Sequence, residues 1–310
     1  MPVPECKHCY SEEKNKSISP RIRETVKWIK DPEVRSYLEN WTPESEPRIY
    51  FYDFRSDSTC NLACIGCGPG NSTLWQRELG QVIDVKSAPV TRLEYLPYLK
   101  KIYLAGGEPF LIQQYLDILE HIVTRQLDIE VVINTNLTVM NDRIFKILNS
   151  LKNYCLIVSV DGHGSVNEYH RWPMSWKKFL KNLQRLTAYT DASIYFNTVV
   201  DAVSVFGLSE LSQIENFAQG WNLSLLHDPP ELLLKNVPDG LKHIAMHNLE
   251  SFKQCKFYKN DITFKNQLNS ACVQISESGS QNDLKNYVLA LDKRRNINHT
   301  TYLGVNFGEI

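Results

Sequence analysis

The chain has 310 residues, of which 43% are hydrophobic and 22% charged, enough for one large globular domain with smaller appendages. Its 34 basic and 35 acidic residues give a net charge of -1, so composition gives no support for nucleic-acid binding by charge attraction. No stretch approaches the roughly 18 apolar residues of a membrane span, and the first residues lack the pattern of a signal peptide. We therefore predict a cytoplasmic protein.

The first 47 residues are polar and are predicted to form a small N-terminal appendage. They contain Cys6-x-x-Cys9, in which two thiols two residues apart supply half of a metal site; an incidental pair is the alternative. Residues 21–38 carry a rough apolar stripe that predicts one helix, and two prolines after it indicate a linker.

Residues 48–228 alternate between strand-like and helix-like patterns about six times. The predicted strands, which are apolar or aromatic, are 48–55, 101–105, 129–134, 156–160, 193–200 and 223–226. The predicted helices between them are 74–79, 112–125, 142–151, 175–186 and 208–218. Right-handed crossovers of this kind build a parallel sheet, so the pattern predicts an α/β fold, a partial (β/α)6 TIM-like barrel.

The pattern changes in residues 229–310, where the strand-like segments stop. Two predicted helices, 241–258 and 283–295, indicate a small C-terminal helical appendage. Cys255 and Cys272 lie in this region.

The first predicted strand leads into a loop with three cysteines, Cys60, Cys64 and Cys67. A loop this short brings three thiolates into one small volume but does not easily supply a fourth. In an ordinary four-cysteine cluster the protein binds every iron, so three cysteines leave one iron open for chemistry. The alternative, from the loop alone, is a zinc site completed by a distant Cys or His.

Polar motifs follow three more of the predicted strands. Gly106-Gly107-Glu108 follows the second strand, Asn134 ends the third, and Ser159-Val160-Asp161-Gly162 follows the fourth. Because the carboxyl ends of parallel strands meet at one edge of a sheet, we expect these motifs to converge with the cysteine loop.

The cysteine spacing C-x3-C-x2-C followed by Gly106-Gly107-Glu108-Pro109 resembles the radical SAM superfamily. Ser159-Val160-Asp161-Gly162 adds to the resemblance, with Arg171 twelve residues past that serine. The phrase C-N-L-x-C-x-x-C-G-P is similar to the branch with a twitch, or half-SPASM, appendage, and the likeness covers roughly residues 48–228. One departure is Gly66, because the residue before the third cysteine is usually bulky in this superfamily and packs on the adenine side.

The resemblance implies a radical SAM enzyme. Cys60, Cys64 and Cys67 would hold a [4Fe-4S] cluster whose fourth iron binds S-adenosyl-L-methionine. Reductive cleavage would give a 5′-deoxyadenosyl radical that abstracts hydrogen from the substrate, with an external flavodoxin- or ferredoxin-like protein as reductant. The residues expected to bind the cofactor are Gly106, Gly107, Glu108, Asn134, Ser159, Asp161 and Arg171. Each assignment has an alternative. The two glycines could form a plain turn, and Glu108 could cap a helix. Ser159 and Asp161 could be turn residues, and Arg171 could be a surface cation.

The resemblance leaves the substrate and a second cluster open. Twitch and SPASM appendages are often found on peptide-modifying members, so a peptide or protein side chain is the first expectation, with a precursor peptide as partner. Dehydrogenation or epimerisation of a sugar or nucleoside is the second, and a non-catalytic iron–sulfur carrier the third. Residues 1–47 would be a twitch-like remnant. The cysteines that would hold an auxiliary cluster, if they are not inert buried thiols, are Cys6, Cys9, Cys255 and Cys272.

Three other residues are interpreted from their positions. Cys155 begins a buried strand and is predicted to belong to the core. His163 and His170 follow the fourth strand, where they would contact substrate or be loop histidines without a role.

Overall fold

The computed structural model describes residues 6–14, 19–55, 57–83 and 96–308. The chain forms two compact units, Met1–Tyr50 and Phe51–Ile310. The helices of the N-terminal unit are α1 (Lys7–Lys14), α2 (Pro20–Trp28) and α3 (Pro32–Glu39).

The prediction of one helix over residues 21–38 is wrong, because the segment forms two helices. The Asp31 carboxylate accepts a hydrogen bond from the Glu33 amide at 2.9 Å and caps α3. Pro32 begins α3, where its missing amide hydrogen leaves no helical bond unmade. A residue before proline is disfavoured in the helical conformation, so α2 ends ahead of this point.

The larger unit is built on a sheet of six parallel strands that lie in chain order. The strands are β1 (Phe51–Phe54), β2 (Lys101–Leu104), β3 (Glu130–Thr135), β4 (Tyr154–Ser159), β5 (Ser193–Val200) and β6 (Gly220–Leu225). β1 and β6 are the two edges, so the barrel is partial. The predicted α/β fold with a partial TIM-like barrel is confirmed.

Crossover helices connect these strands on the outer side of the sheet. They are α4 (Thr73–Leu79), α5 (Gln113–Arg125), α6 (Asp142–Ser150), α7 (Gly164–His170) and α8 (Trp176–Tyr189). The α-helix predicted over 208–218 is wrong: Ser209–Phe217 is a 3-10 helix, in which the Ser212 hydroxyl donates to the Ser209 carbonyl. Such side-chain bonds to nearby backbone compete with α-helical pairing.

Alternate residues of each strand face opposite sides of the sheet. The outer set packs against the helices and has no exposed surface, as at Ile102, Val131, Leu156 and Phe196. The residues between them therefore face the interior of the barrel.

Five α-helices follow β6 in the described part of the chain, and the first three of them pack against this strand. They are α9 (Asp239–Phe252), α10 (Lys256–Asn260), α11 (Ile262–Ile275), α12 (Gln281–Arg295) and α13 (His299–Leu303). Trp221 of β6 packs edge-on against Phe252 and Phe264, with ring centroids 5.4 and 6.3 Å apart. This aromatic cluster joins the C-terminal helices to the barrel in one compact unit.

Two sequence predictions for this region differ from the structure. The single helix over 241–258 is divided into α9 and α10, and α11 was not predicted at all. The division of the chain into 1–47, 48–228 and 229–310 stays a prediction. Among the described residues, no helix is both long and apolar enough to cross a membrane.

Candidate functional site

Three loops meet at the carboxyl edge of the sheet. The Glu108 amide donates to the Thr59 carbonyl at 2.7 Å, which joins the loop after β2 to the start of the cysteine loop. The Asn136 side chain donates to Asn61 Oδ1 at 3.0 Å, which joins the loop after β3 to the same segment. The convergence expected of these loops is therefore present.

Gly106 and Gly107 are glycines because the backbone before Cys60 lies directly against them. Gly106 has a φ of +113°, and a Cβ there would lie 2.5 Å from the Asp57 carbonyl oxygen. A Cβ at Gly107 would overlap the carbonyl of Thr59. The turn predicted to approach a cofactor is thus also the surface against which the cysteine loop is folded.

Glu108 lies inside this junction with no exposed surface. Its Oε1 accepts from the Thr135 hydroxyl at 2.7 Å and the Phe110 amide at 3.2 Å, and its Oε2 accepts from the Asn136 amide at 2.7 Å. The Phe110 bond caps the 3-10 helix Pro109–Leu111, the alternative role considered for this residue. Burial raises the pKa of Glu108 to about 7, although the three hydrogen bonds oppose this.

Glu108→Gln is expected to remove a pH-dependent loss of stability. The pKa of Glu108 is about 7 in the folded chain against an ordinary 4.5, so the folded state holds this proton more tightly than the unfolded state does. The free energy of unfolding therefore falls as pH rises through this range, by on the order of 3 kcal/mol. The variant loses this slope but is less stable overall by about 1–3 kcal/mol, because an amide N–H then faces the Asn136 amide.

Urea unfolding measured across this pH range tests the prediction. Glu277→Gln, at an exposed position of the same unit, is the control and should keep the wild-type slope. A Glu108→Gln protein with an undiminished slope would show that another group is responsible.

The cysteine loop is paired with the chain that follows α7. The Ala63 amide donates to the Trp172 carbonyl at 2.6 Å, and the Ile65 amide donates to the His170 carbonyl at 2.8 Å. These two bonds run in antiparallel register, so Arg171 lies opposite Cys64. The segment at the end of α7 is thereby placed against the cysteine loop.

Side chains from α4 and α12 hold the carbonyl groups of the same loop. The Trp75 indole donates to the Cys64 carbonyl at 2.8 Å. Tyr287 donates to the Ile65 carbonyl at 2.9 Å, and Arg295 to that of Ala63 at 2.8 Å. The sequence alone does not indicate these three residues. No local motif indicates the two on α12, because they lie more than two hundred positions from the loop.

The three thiols of the loop differ in environment. Cys60 is half-buried, Cys64 buried and Cys67 exposed. Contact with the Cys67 thiol, together with the nearby charge of Arg171, lowers the pKa of Cys64 to about 6, while the same contact raises the pKa of Cys67. Burial raises the pKa of Cys60 to about 11. One thiolate is therefore already favoured in the loop.

The donor set of this loop fits an iron–sulfur cluster. Cysteine thiolates hold such clusters, and closely spaced cysteines in one segment are typical of this ligation. The neighbouring positive charge of Arg171 suits thiolate ligands.

Asn134 and Ser159 lie side by side at the ends of β3 and β4. The Ser159 hydroxyl donates to Asn134 Oδ1 at 3.2 Å. Gly66 faces the end of β6, where a Cβ would lie 3.2 Å from Leu226 Cδ1. Leu226 therefore provides apolar surface on the side where relatives carry a bulky residue before the third cysteine.

Asp161 and Arg171 form part of a buried chain of charges. Asp161 Oδ2 lies 2.5 Å from Arg171 Nη1 and 3.1 Å from His170 Nδ1, and its Oδ1 accepts from the Val199 amide at 2.8 Å. Although burial opposes it, the charges of Arg171 and His170 hold the pKa of Asp161 well below its usual range. Arg171 is therefore a buried, paired residue, and the surface-cation alternative is wrong.

The two histidines after β4 both lie against carboxylate oxygens. His170 is 2% exposed, with its Nε2 2.5 Å from Asp201 Oδ2, so it is not available for the substrate contact considered above. His163 Nδ1 lies 2.8 Å from Glu210 Oε2, and its ring packs edge-on against Trp176.

A cavity of about 810 Å³ lies in the barrel interior. Its wall includes amide and phenol side chains and one thiol: Tyr103, Asn134, Cys155, Tyr195, Asn197 and Asn222. Its charged side chains are Lys101 and Glu130, paired at 2.6 Å, and Asp261, which caps α11. The prediction that Cys155 belongs to the core is wrong, because its side chain faces this cavity.

The four cysteines outside the barrel lie in separate settings. Cys6 and Cys9 belong to the N-terminal unit. Cys255 is fully buried, and burial raises its pKa to about 12. Cys272 is partly exposed, and its thiol lies 3.6 Å from Glu250 Oε1. Their joint ligation of an auxiliary cluster stays a prediction.

Comparisons with known proteins agree with this architecture. A family model described as the radical SAM superfamily matches residues 58–203. The structure of anSMEcpe with bound AdoMet is similar, with a TM-score of 0.50 and 17% identity, over 70% of this chain and 61% of that one. SuiB of Streptococcus suis, bound to precursor peptide SuiA, gives a TM-score of 0.44 and 15% identity, over 81% of this chain and 58% of that one. A search of the curated proteins finds no match.

The matching domain and the parallel half-barrel define the class, an α/β enzyme fold with its cofactor loop after the first strand. Residues 58–203 match the radical SAM superfamily, whose members use a [4Fe-4S] cluster and S-adenosylmethionine. This match supports the predictions of the superfamily, of an enzyme and of these two cofactors. The chain spans about three fifths of the length of the solved structures reported above.

Proposed function

We propose that this chain is a radical SAM enzyme that uses reductive cleavage of S-adenosylmethionine to abstract hydrogen from a peptide or protein side chain. The observation that carries the proposal is the folding of the three-cysteine loop directly onto the Gly106-Gly107 turn. When bound, the cluster and S-adenosylmethionine supply the 5′-deoxyadenosyl radical. The protein's part is to hold, orient and shield them.

The residues of the carboxyl edge are assigned as follows in this proposal. Cys60, Cys64 and Cys67 would hold three irons. Glu108 Oε2 accepts one hydrogen bond in the structure, so it keeps acceptor capacity for the methionyl ammonium. Arg171 would donate to the methionyl carboxylate. Asn134 and Ser159 would contact the ribose or carboxylate oxygens of S-adenosylmethionine.

The cavity is the proposed substrate site. Asn134 belongs both to its wall and to the predicted cofactor residues, so the two sites would be continuous. Amide side chains both donate and accept, which suits the backbone of a peptide, and two of the cavity's charges already neutralise each other. A peptide segment whose backbone contacts these amides is therefore favoured.

Other parts of the proposal rest on the sequence. The twitch assignment of residues 1–47, the auxiliary cluster, the cytoplasmic location and a flavodoxin- or ferredoxin-like reductant stay predictions. Cys67, the exposed thiol of the loop, is the edge from which such a reductant would most directly deliver an electron.

The proposal is tested by supplying the reconstituted, reduced protein with S-adenosylmethionine under anaerobic conditions. We expect 5′-deoxyadenosine and methionine. With a perdeuterated peptide substrate, deuterium should pass into 5′-deoxyadenosine; transfer from a labelled sugar or nucleoside instead would replace the peptide assignment. An intact cluster that yields neither product would overturn the enzymatic function and favour an iron–sulfur carrier.

A further inference from the structure

A chain of four alternating charges runs from the end of β5 to the cysteine loop. In order, it consists of Asp201, His170, Asp161 and Arg171, joined by contacts of 2.5, 3.1 and 2.5 Å. The first three side chains are at most 2% exposed and Arg171 is 13% exposed. Burying charges is costly unless they are paired, so a chain of this kind needs a compensating purpose.

The position of His170 between two carboxylates favours a positively charged imidazole. Its Nε2 lies 2.5 Å from Asp201 Oδ2 and is hydrogen-bonded to it. Its Nδ1 lies 3.1 Å from Asp161 Oδ2, which is within ion-pair distance, but it makes no hydrogen bond. With His170 as a cation the chain is neutral overall. In support, although burial alone would lower it, the charges of Asp201 and Asp161 raise the pKa of His170 to about 10.

The far end of the chain is fixed by backbone. Asp201 Oδ1 accepts from the amides of Val203 and Ser204, each at 2.8 Å, and its own amide donates to the Ser204 hydroxyl at 2.9 Å. Asp201 therefore cannot shift without breaking this turn. From this fixed position Asp201 holds His170 at 2.5 Å, and His170 in turn lies 3.1 Å from the Asp161 carboxylate.

The near end presents a free donor to the cofactor site. Arg171 lies opposite Cys64, because the residues on either side of it are hydrogen-bonded to those on either side of that cysteine. Asp161 binds its Nη1, while its buried Nε has no hydrogen-bond partner. Because this donor belongs to the residue opposite Cys64, it is available to a ligand at the cysteine loop.

We propose that His170 and Asp201 are positioning residues, which hold Arg171 against the cysteine loop with its Nε free for the carboxylate of S-adenosylmethionine. This inference rests on the proposed function. Neither residue touches the cofactor; both act through Arg171. Substituting either residue would change only the position of Arg171, so it should weaken the binding of S-adenosylmethionine without removing the cluster.

The test compares cluster-loaded proteins carrying His170→Gln, Arg171→Gln or both. The affinity for S-adenosylmethionine is read from the change it causes in the electron paramagnetic spectrum of the reduced cluster, and iron is counted for each protein. We expect each single variant to bind about 10-fold more weakly or worse, the usual scale for loss of an outer-shell partner, at wild-type iron content. The double variant should be no weaker than Arg171→Gln alone, because the two residues act as one unit.

Two further variants separate positioning from general damage. His299→Gln is the matched control, because His299 Nδ1 also pairs with a buried carboxylate, Asp292, at 2.6 Å. It should lower the melting temperature and leave cofactor affinity unchanged. Asp201→Asn keeps the His170 ring and the backbone turn at residue 201 but removes the Asp201 charge. It should weaken the affinity for S-adenosylmethionine even if His170→Gln does not fold.

Three outcomes would overturn the inference. They are wild-type affinity in both His170→Gln and Asp201→Asn, a double variant whose loss is the product of the single losses, and an affinity loss in His299→Gln as large as in His170→Gln. Failure of the wild-type protein to make 5′-deoxyadenosine is a separate result, which counts against the proposed function. Normal affinity in Arg171→Gln counts against the role of Arg171 itself.

Discussion

Cys64→Ala is expected to abolish cleavage of S-adenosylmethionine. Its thiol is the buried one of the three, and contact with Cys67 and the charge of Arg171 favour its thiolate form. Loss of an outer-shell partner typically costs roughly 10- to 100-fold in metal affinity or activity, so loss of a ligand should cost more than about 100-fold. Iron content and 5′-deoxyadenosine yield after anaerobic reconstitution measure the effect.

Cys155→Ala is the control for iron content, because this cysteine faces the cavity and lies outside the loop. It should retain wild-type iron. The wild-type count is itself informative: about four irons per chain indicates one cluster, and about eight supports the auxiliary cluster of the outer cysteines. A Cys64→Ala protein with full iron content and turnover would show that another group holds the cofactor.

Gly107→Ala is expected to be among the most destabilising single substitutions in the chain. The added Cβ would overlap the Thr59 carbonyl, which is backbone and cannot rotate away as a side chain would. The loop before Cys60 must move, and the Glu108 amide loses its bond to Thr59. We expect a loss of at least about 3 kcal/mol in the free energy of unfolding and a fall in iron content.

Gly70→Ala provides the matched comparison. It lies just beyond the third cysteine, and a Cβ there has no heavy atom within 4 Å. Its free energy of unfolding should stay within about 0.5 kcal/mol of wild type. Equal urea midpoints for the two alanine variants would mean that the close approach of Gly107 to the loop does not exist in solution.

Sequence reasoning was most successful where a short segment carries its own signal. The six strands were predicted because each is an apolar or aromatic run between turn residues, and 193–200 agrees with β5 at both ends. The same reasoning failed at α3, where proline and a capping aspartate outweighed the apolar stripe. It failed at Cys155, because burial of an isolated strand residue does not say which side of the sheet it faces.

The candidate site divides in the same way. The cysteine spacing, Gly106-Gly107-Glu108 and Arg171 are visible in the sequence. The role of Glu108 as a cap and as a junction between two loops is not visible in the sequence, because its partners Thr135 and Asn136 lie on the next strand and loop. The position of His170 after β4 predicts either a substrate contact or a loop histidine without a role, and the structure buries it between two carboxylates instead.

By itself, the sequence indicated the likeness to the radical SAM superfamily, the parallel half-barrel and the cysteines proposed to hold a cluster, because these depend on spacing and on periodicity within one segment. The tertiary structure alone decided which groups support the cysteine loop. Tyr287 and Arg295 reach its carbonyls from α12, and Asp201 reaches it through three other side chains. Such contacts depend on how distant segments pack, and the chemistry of a single segment does not encode its partners.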